Sequence, residues 1–365
     1  MRESEHFRVS CCNRLQLAAQ VVRLAFMSGK STTIRSAELP DTGHHRRHRL
    51  DLLWRSSALI LLLTSTWLIV GASLQEASAA VVSAGRTVFT VGGLLTLTSW
   101  STARAVSNKA QALAPELLPE RTPYRPRQVL LLALSGVSAY TVFSTVAMGL
   151  AGPVLPTLVM SLTPAAVLIT ESLMTRTAPP VPTSIGTLLA ISGALLYVLS
   201  RLGGTLGGDV LTGTLVALAA MGAMAFYGVY FARVNRTYHG PMAPRILPIF
   251  AIGSVPLTIW AATSIMGGEQ LSWDVIGLLA VLGVVVYVPV YLLQHNIIVT
   301  VGASYSAMLG LAVPPLVGIG SALLHLAAAP MPLQLLGLSI TILGMGLVIR
   351  RKLTPSKEKA RREDQ

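Results

Sequence analysis

Charge is what this chain most lacks. Only 12% of its 365 residues are Asp, Glu, Lys or Arg, against about 25% in soluble globular domains. The shortage is uneven, since the 75 residues between Asp274 and Arg350 contain none of the four. Cysteine is almost absent too. Cys11 and Cys12 are adjacent, and neighbouring cysteines meet disulfide geometry poorly, so neither a disulfide framework nor a metal site is implied. No metal-ligand spacing and no phosphate-cradling glycine loop occur, and no cofactor is expected.

In place of charge the chain carries long apolar runs, with 52% hydrophobic residues and a mean hydropathy of +0.63. About 20 residues of helix cross about 30 Å of hydrocarbon, so the charge-free interval has room for three crossings. The composition predicts an all-α integral membrane protein. Uncharged stretches divided at Gly and Pro signals predict ten transmembrane helices, beginning near 55, 81, 128, 154, 184, 210, 246 and 275, with breaks at "TVGA" (300–303) and "AAPMP" (328–332) for the last two. The expected organisation is a basic, disordered tail over 1–50, a five-helix unit over 51–201, a second over 202–350 and a basic tail over 351–365.

The net charge of +13 sits mostly in tails and loops. With both termini inside, 25 of the 28 Lys and Arg residues face the cytoplasm, which the positive-inside rule selects. Basic loops of this kind set topology and meet anionic lipid, so membrane lipid is an expected partner and nucleic acid is not. The stretch "RLQLAAQVVRLAFM" (14–27) is broken by Gln20 and Arg23 and lacks a cleavage site, so it reads as a tail rather than a signal peptide. Whether Met1 or Met27 is the start is open.

A shift of 151 positions superposes "APPVPTSIGTLLAISG" (178–193) on "APMPLQLLGLSITILG" (329–344), aligning Gly186 with Gly337 and Gly193 with Gly344. The same shift sets Pro164 over Pro315 and Tyr140 over Tyr291. Five spans per unit is an odd number, so the second unit enters the membrane inverted. Inverted repeats are a transporter signature, with the site near the midplane where the units meet.

These segments resemble the EamA-type carriers of the drug/metabolite transporter superfamily over about residues 52–350. Arg86 in "AGRTVFTVGGLLTL" is similar to that family's arginine early in the second span, and "LVMSLTPAAVLI" and "LGLAVPPLVGIG" resemble its proline-broken fourth and ninth spans. The resemblance implies transport of small solutes, often outward, and names no solute. The Gly-Glu-Arg-like turn common after those spans is replaced here by "MTRT" (174–177) and "LAAA" (326–329), so no family role passes to Glu171.

Candidate residues follow from cost. Glu171 is the one carboxylate in the expected spans, and a charge at the bilayer centre costs about 2.5–3.5 kcal/mol on insertion scales. It is a proton-coupling candidate, or it reaches the interface and pairs with Arg176 five residues on. Arg86 either extends to the headgroups on its long stem or stands as a fixed positive charge for an anionic solute. Tyr140, Tyr287, Tyr291 and Gln294 are expected to line a cavity, because mid-bilayer hydroxyls need partners. Tyr227 and Tyr230 read as an interfacial aromatic belt, and His295 as a satisfied residue near the inner boundary, with a proton carrier as the lesser alternative. Pro164 and Pro315 are the expected hinges.

The function expected is a secondary transporter of a small organic metabolite or drug in the cytoplasmic membrane. It works by alternating access, outward, with proton coupling an option raised by Glu171; a homodimer is compatible. A non-transporting scaffold or sensor is the alternative, then an integral-membrane transferase. The latter suffers because His295 and His325 fall near opposite faces of the membrane.

Overall fold

The computed structural model describes residues 42–74, 76–111, 123–151, 156, 159–177, 181–200, 210–238, 240–313, 315–316, 319 and 331–353. Among them every regular element is helical. Helix α1 is Thr42–Ser73, α2 Ala79–Gln111, and α3 Pro126–Leu132, which continues through a π-helical segment, Ala133–Ala139, into α4, Tyr140–Ala151. Then come α5 (Thr163–Thr175), α6 (Val181–Leu199), α7 (Val210–Val234) and α8 (Met242–Met266). Helix α9 (Trp273–Ala280) runs through a second π-helical segment, Val281–Tyr287, into α10 (Val288–Thr300). Finally α11 (Ala303–Leu309) tightens into a 3-10 turn at Gly310–Ala312, and α12 spans Pro332–Leu353.

Local chemistry starts these helices where they start. Pro126 and Pro332 occupy first-turn positions that need no N–H. In front of each, a glutamine three residues on accepts the free amide: Gln128 from Arg125 at 3.0 Å and Gln334 from Met331 at 2.9 Å. Ser272 accepts from the Val275 amide at the head of α9, with Asp274 in its first turn.

Among the described residues five helices are long and apolar enough to cross a membrane: Ala79–Ser101, Pro126–Met148, Leu211–Val234, Met242–Met266 and Trp273–Thr300. They answer to the second, third, sixth, seventh and eighth expected spans. Helices α1, α6 and α12 lie where the first, fifth and tenth were expected, and α6 and α12 contain the shorter apolar stretches Val181–Gly193 and Pro332–Gly344. The fourth and ninth spans, the tails 1–41 and 354–365, Arg201 and His325 fall wholly or partly outside the described residues.

Boundaries moved in three places. Helix begins at Thr42, within the stretch expected to be a disordered tail. Helix α2 continues to Gln111, eleven residues into the expected loop. Arg245, expected in a loop, is buried in the first turn of α8. Its guanidinium lies 3.5 Å from the Tyr124 ring centre and 4.6 Å from that of Tyr238. The Asn235 amide oxygen accepts from Arg245 Nε at 2.6 Å and from the Tyr124 hydroxyl at 2.9 Å. A charge read as a loop marker is thus retained in the fold by stacking on two aromatic faces. Burial raises the Tyr124 phenol above the usual tyrosine range, with Arg245 working against it.

The surface is apolar where the interior is partly polar. Leu188 is 63% exposed, Leu343 64% and Ile259 61%, whereas Thr90, Ser83 and Thr341 are buried and hydrogen-bonded. That is the arrangement of a helical membrane protein. Association of helices in lipid depends on close approach and hydroxyl bonds rather than on apolar burial. At the crossing of α6 and α12 a Cβ on Gly193 would stand 2.6 Å from the Gly337 carbonyl, and one on Gly344 would stand 2.7 Å from that of Gly186. The four glycines meet in reciprocal pairs. Elsewhere α2 packs on α8, α2 on the Val281–Tyr287 segment, and α8 on the Ala133–Ala139 segment. Thr90 donates to the Gly283 carbonyl at 3.1 Å and Ser138 to the Gly253 carbonyl at 2.9 Å in the last two contacts.

Candidate functional site

A cavity of about 110 Å³ lies among these helices. One water needs about 10–15 Å³ of such space, so the cavity has room for a small molecule. Helix α1 contributes Leu63, Thr66, Trp67 and Val70; α2 contributes Arg86; the segment around α3 and α4 contributes Gly136, Tyr140, Ser144 and Met148. From the later part of the chain come Met224 and Tyr227 on α7, Phe250 on α8, and Tyr287, Val290, Tyr291, Gln294 and His295 along α9–α10. Both expected five-helix units therefore supply walls.

Arg86, Tyr140, Tyr287, Tyr291 and Gln294, singled out in the sequence, all line this one space. Both π-helical segments adjoin it: Tyr140 directly follows the first, and Tyr287 ends the second. Such insertions widen a helical turn and re-aim side chains, and they recur at functional sites.

Arg86 points along the wall rather than toward lipid. Its Nη1 donates to the Tyr287 hydroxyl at 2.7 Å, and its guanidinium carbon is 5.2 Å from that ring's centre. Tyr287 stacks on Tyr291 at 5.3 Å between centres, and Tyr291 meets Phe250 at 4.3 Å. Tyr287, Tyr291 and His295 stand at i, i+4 and i+8, on one helix face. Among the described residues lining the cavity, Arg86 is the one side chain with a permanent charge, and no carboxylate is present.

At the far end His295 is 1% exposed. Its Nδ1 lies 2.5 Å from the Tyr291 carbonyl, which only accepts, so Nδ1 carries the hydrogen. In the neutral ring Nε2 then accepts from the Tyr227 hydroxyl, its other partner. Phe231 and Phe250 enclose the imidazole at 4.6 and 6.1 Å. Tyr227, read as an interfacial aromatic, is instead 3% exposed, its ring seated where Gly136 has no side chain. The sequence reading named His295 without setting it on this space, although its place one turn beyond Tyr291 put it on the same helix face. Nothing in the sequence set Tyr227, Trp67 or Phe250 on the same space.

The remaining candidates lie elsewhere. Glu171, half-buried on α5, is not a lining residue; its carboxylate accepts from the Ser304 hydroxyl on α11. The described residues hold one ion pair, Asp51–Arg55, so Glu171 does not pair with Arg176. Pro164 is buried in the first turn of α5, just after the turn at Ser161–Leu162. Pro315 is buried and helical, three residues past the 3-10 turn. Among the described residues no three His, Cys, Asp or Glu side chains gather as metal ligands.

No family model matches this chain. No curated protein matches it either. The fold recurs among solved structures, 29 chains of which match. One crystal structure superposes with a TM-score of 0.62 at 20% identity, over 83% of this chain and 99% of its own. At that identity the likeness concerns the fold alone.

Proposed function

We propose that this chain is a secondary carrier of the EamA type, moving a small organic solute outward across the cytoplasmic membrane by alternating access. In this reading ten transmembrane helices form two inverted five-helix units, with both termini in the cytoplasm. The observation that carries it is the convergence of Arg86, Tyr140, Tyr287, Tyr291 and Gln294, from widely separated segments, on one cavity walled by both units. The reciprocal glycine contacts of α6 with α12 support the repeat. So do the two π-helical segments, which fall in the third and eighth expected spans.

The geometry suits a carrier more than a scaffold. A scaffold has no use for a fixed charge and a set of hydrogen-bonding side chains around an internal space. For a carrier that space is the solute site, the paired irregularities before Pro164 and Pro315 serve as hinges, and the aromatic wall binds without holding tightly. His295 in the cavity and Glu171 outside it are the titratable groups available for proton coupling.

The test compares metabolites in spent medium from cells expressing the chain with those carrying an empty vector. One solute enriched outside expressing cells, and lost with Tyr291→Ala, is the expected result. Identical media, with the protein shown to be in the membrane, would overturn the outward carrier.

A further inference from the structure

We propose that the cavity is selective for a small monocarboxylate with a planar, apolar body, its carboxylate on Arg86 and its body along Tyr287, Tyr291 and Phe250. The proposal rests on the carrier reading and names the chemical class of solute within it.

The charge argument comes first. A guanidinium has five N–H donors, and Arg86 spends one on the Tyr287 hydroxyl. Among the described residues no carboxylate lines the space with it. A positive charge inside a membrane is costly unless compensated, and it cannot here be explained by extension to the headgroups, because the Tyr287 contact holds it at the cavity wall. The missing partner is an anion arriving with the solute. A carboxylate matches the guanidinium fork and takes two parallel hydrogen bonds from it. One guanidinium balances one negative charge; a dianion would leave a second charge facing aromatic rings and aliphatic side chains such as Leu63, Val70 and Val290.

The shape argument is independent. From Tyr287 to His295 the helix rises about 12 Å, with an aromatic ring at each turn. The ring faces of Tyr287 and Tyr291 are stacked, and Phe250 leans on the second. This makes a column of rings extending from the guanidinium, and a planar aromatic body meets its edges and free faces in the edge-to-face or offset contacts such rings favour. An aliphatic chain of equal length gains less from it. At the far end Gln294 and the Tyr227–His295 pair are neutral hydrogen-bonding groups, so a second charged group on the solute finds no counter-charge there.

Trp67 makes this testable without knowing the natural solute. It lines the cavity, whereas Trp54, Trp100 and Trp273 are exposed on the outside. The purified full-length chain in lipid nanodiscs is titrated with benzoate, benzamide, cyclohexanecarboxylate and phthalate while tryptophan fluorescence is followed, with Trp67→Phe locating the response. Benzoate is expected to bind at least about tenfold tighter than benzamide, which keeps the ring and loses the charge. Cyclohexanecarboxylate and phthalate should both be weaker than benzoate, and Arg86→Gln should bring benzoate to the benzamide level. Equal affinity for benzoate and benzamide, or benzoate affinity intact in Arg86→Gln, overturns the proposal while leaving a solute-binding cavity in place. Absence of any response also overturns it. Should Arg86→Gln fail to fold, the comparison of the four probes on the unaltered chain decides. The carrier reading fails separately, on spent medium; an exported solute that is not a carboxylate upholds the carrier and sinks the carboxylate.

Discussion

Ser304 on α11 donates its hydroxyl to the carboxylate of Glu171 on α5, across 133 positions of sequence. The bond ties one expected unit to the other at a point outside the cavity. It gives the lone carboxylate of the expected spans a structural partner that neither interfacial exposure nor pairing with Arg176 supplied.

Glu171→Gln keeps an oxygen able to accept from Ser304, whereas Glu171→Leu leaves the hydroxyl without its acceptor. The expected outcome is near-unchanged thermal unfolding in detergent for the first and a loss of about 1–3 kcal/mol for the second. A cycle with Ser304→Ala should recover most of that loss as coupling. Export driven by a pH gradient should survive Glu171→Gln; its disappearance at unchanged membrane abundance would instead assign the coupling proton to Glu171.

Tyr227 and His295 form a pair inside the wall. Tyr227→Phe keeps the ring that packs on Gly136 and strips the donor from His295 Nε2. A destabilisation of about 1–3 kcal/mol is expected, the cost of an orphaned buried acceptor. In a His295→Leu background the same change should cost almost nothing. An undiminished cost there would show that the hydroxyl acts through some other contact.

Gly193 and Gly222 allow a paired comparison. A Cβ on Gly193 would meet the Thr341 amide nitrogen at 2.5 Å, while one on Gly222 meets nothing within 4 Å. Gly193→Val is expected to separate α6 from α12 and lose about 1–3 kcal/mol by overpacking. Gly222→Ala, in a helix and facing outward, should gain about 0.5–1 kcal/mol. Equal effects, measured as thermal unfolding in detergent, would remove the claim that the α6–α12 crossing depends on close backbone approach.

Tyr124 brings a dependence on alkaline pH. Burial raises its phenol above the ordinary value, so the folded chain keeps a proton that the unfolded chain releases near pH 10. Stability on this account is complete below about pH 10 and falls as pH rises beyond it. Tyr124→Phe should flatten that fall, read from unfolding temperatures between pH 8 and 11. A fall of unchanged steepness would place the titrating group elsewhere. Arg245→Lys, by contrast, should cost stability across the whole range, because an ammonium lacks the flat face that lies over Tyr124.

Much of the candidate cavity was legible in the amino-acid order. Mid-span Arg86, Tyr140, Tyr287, Tyr291 and Gln294 stood out because lipid makes every polar side chain expensive, and expense in a bilayer has to be explained locally. Helix existence was legible for the same reason, since an apolar run in that solvent has to satisfy its backbone internally. The ends of helices were less so: Arg245 looked like a loop charge because the sequence does not show the two rings that receive it.

What remained hidden were distances between segments far apart in the chain. Whether Glu171 meets Arg176 or Ser304, and whether Tyr227 faces headgroups or His295, depends on how helices rotate about their own axes. Periodicity leaves that rotation undetermined in lipid, where both faces of a helix are apolar and no hydrophobic stripe marks the inward side. The amino-acid order set the class of protein and the polar residues that had to be accounted for. Packing between helices, through glycine contacts and hydroxyl bonds that no pattern announces, set which of those residues share one cavity.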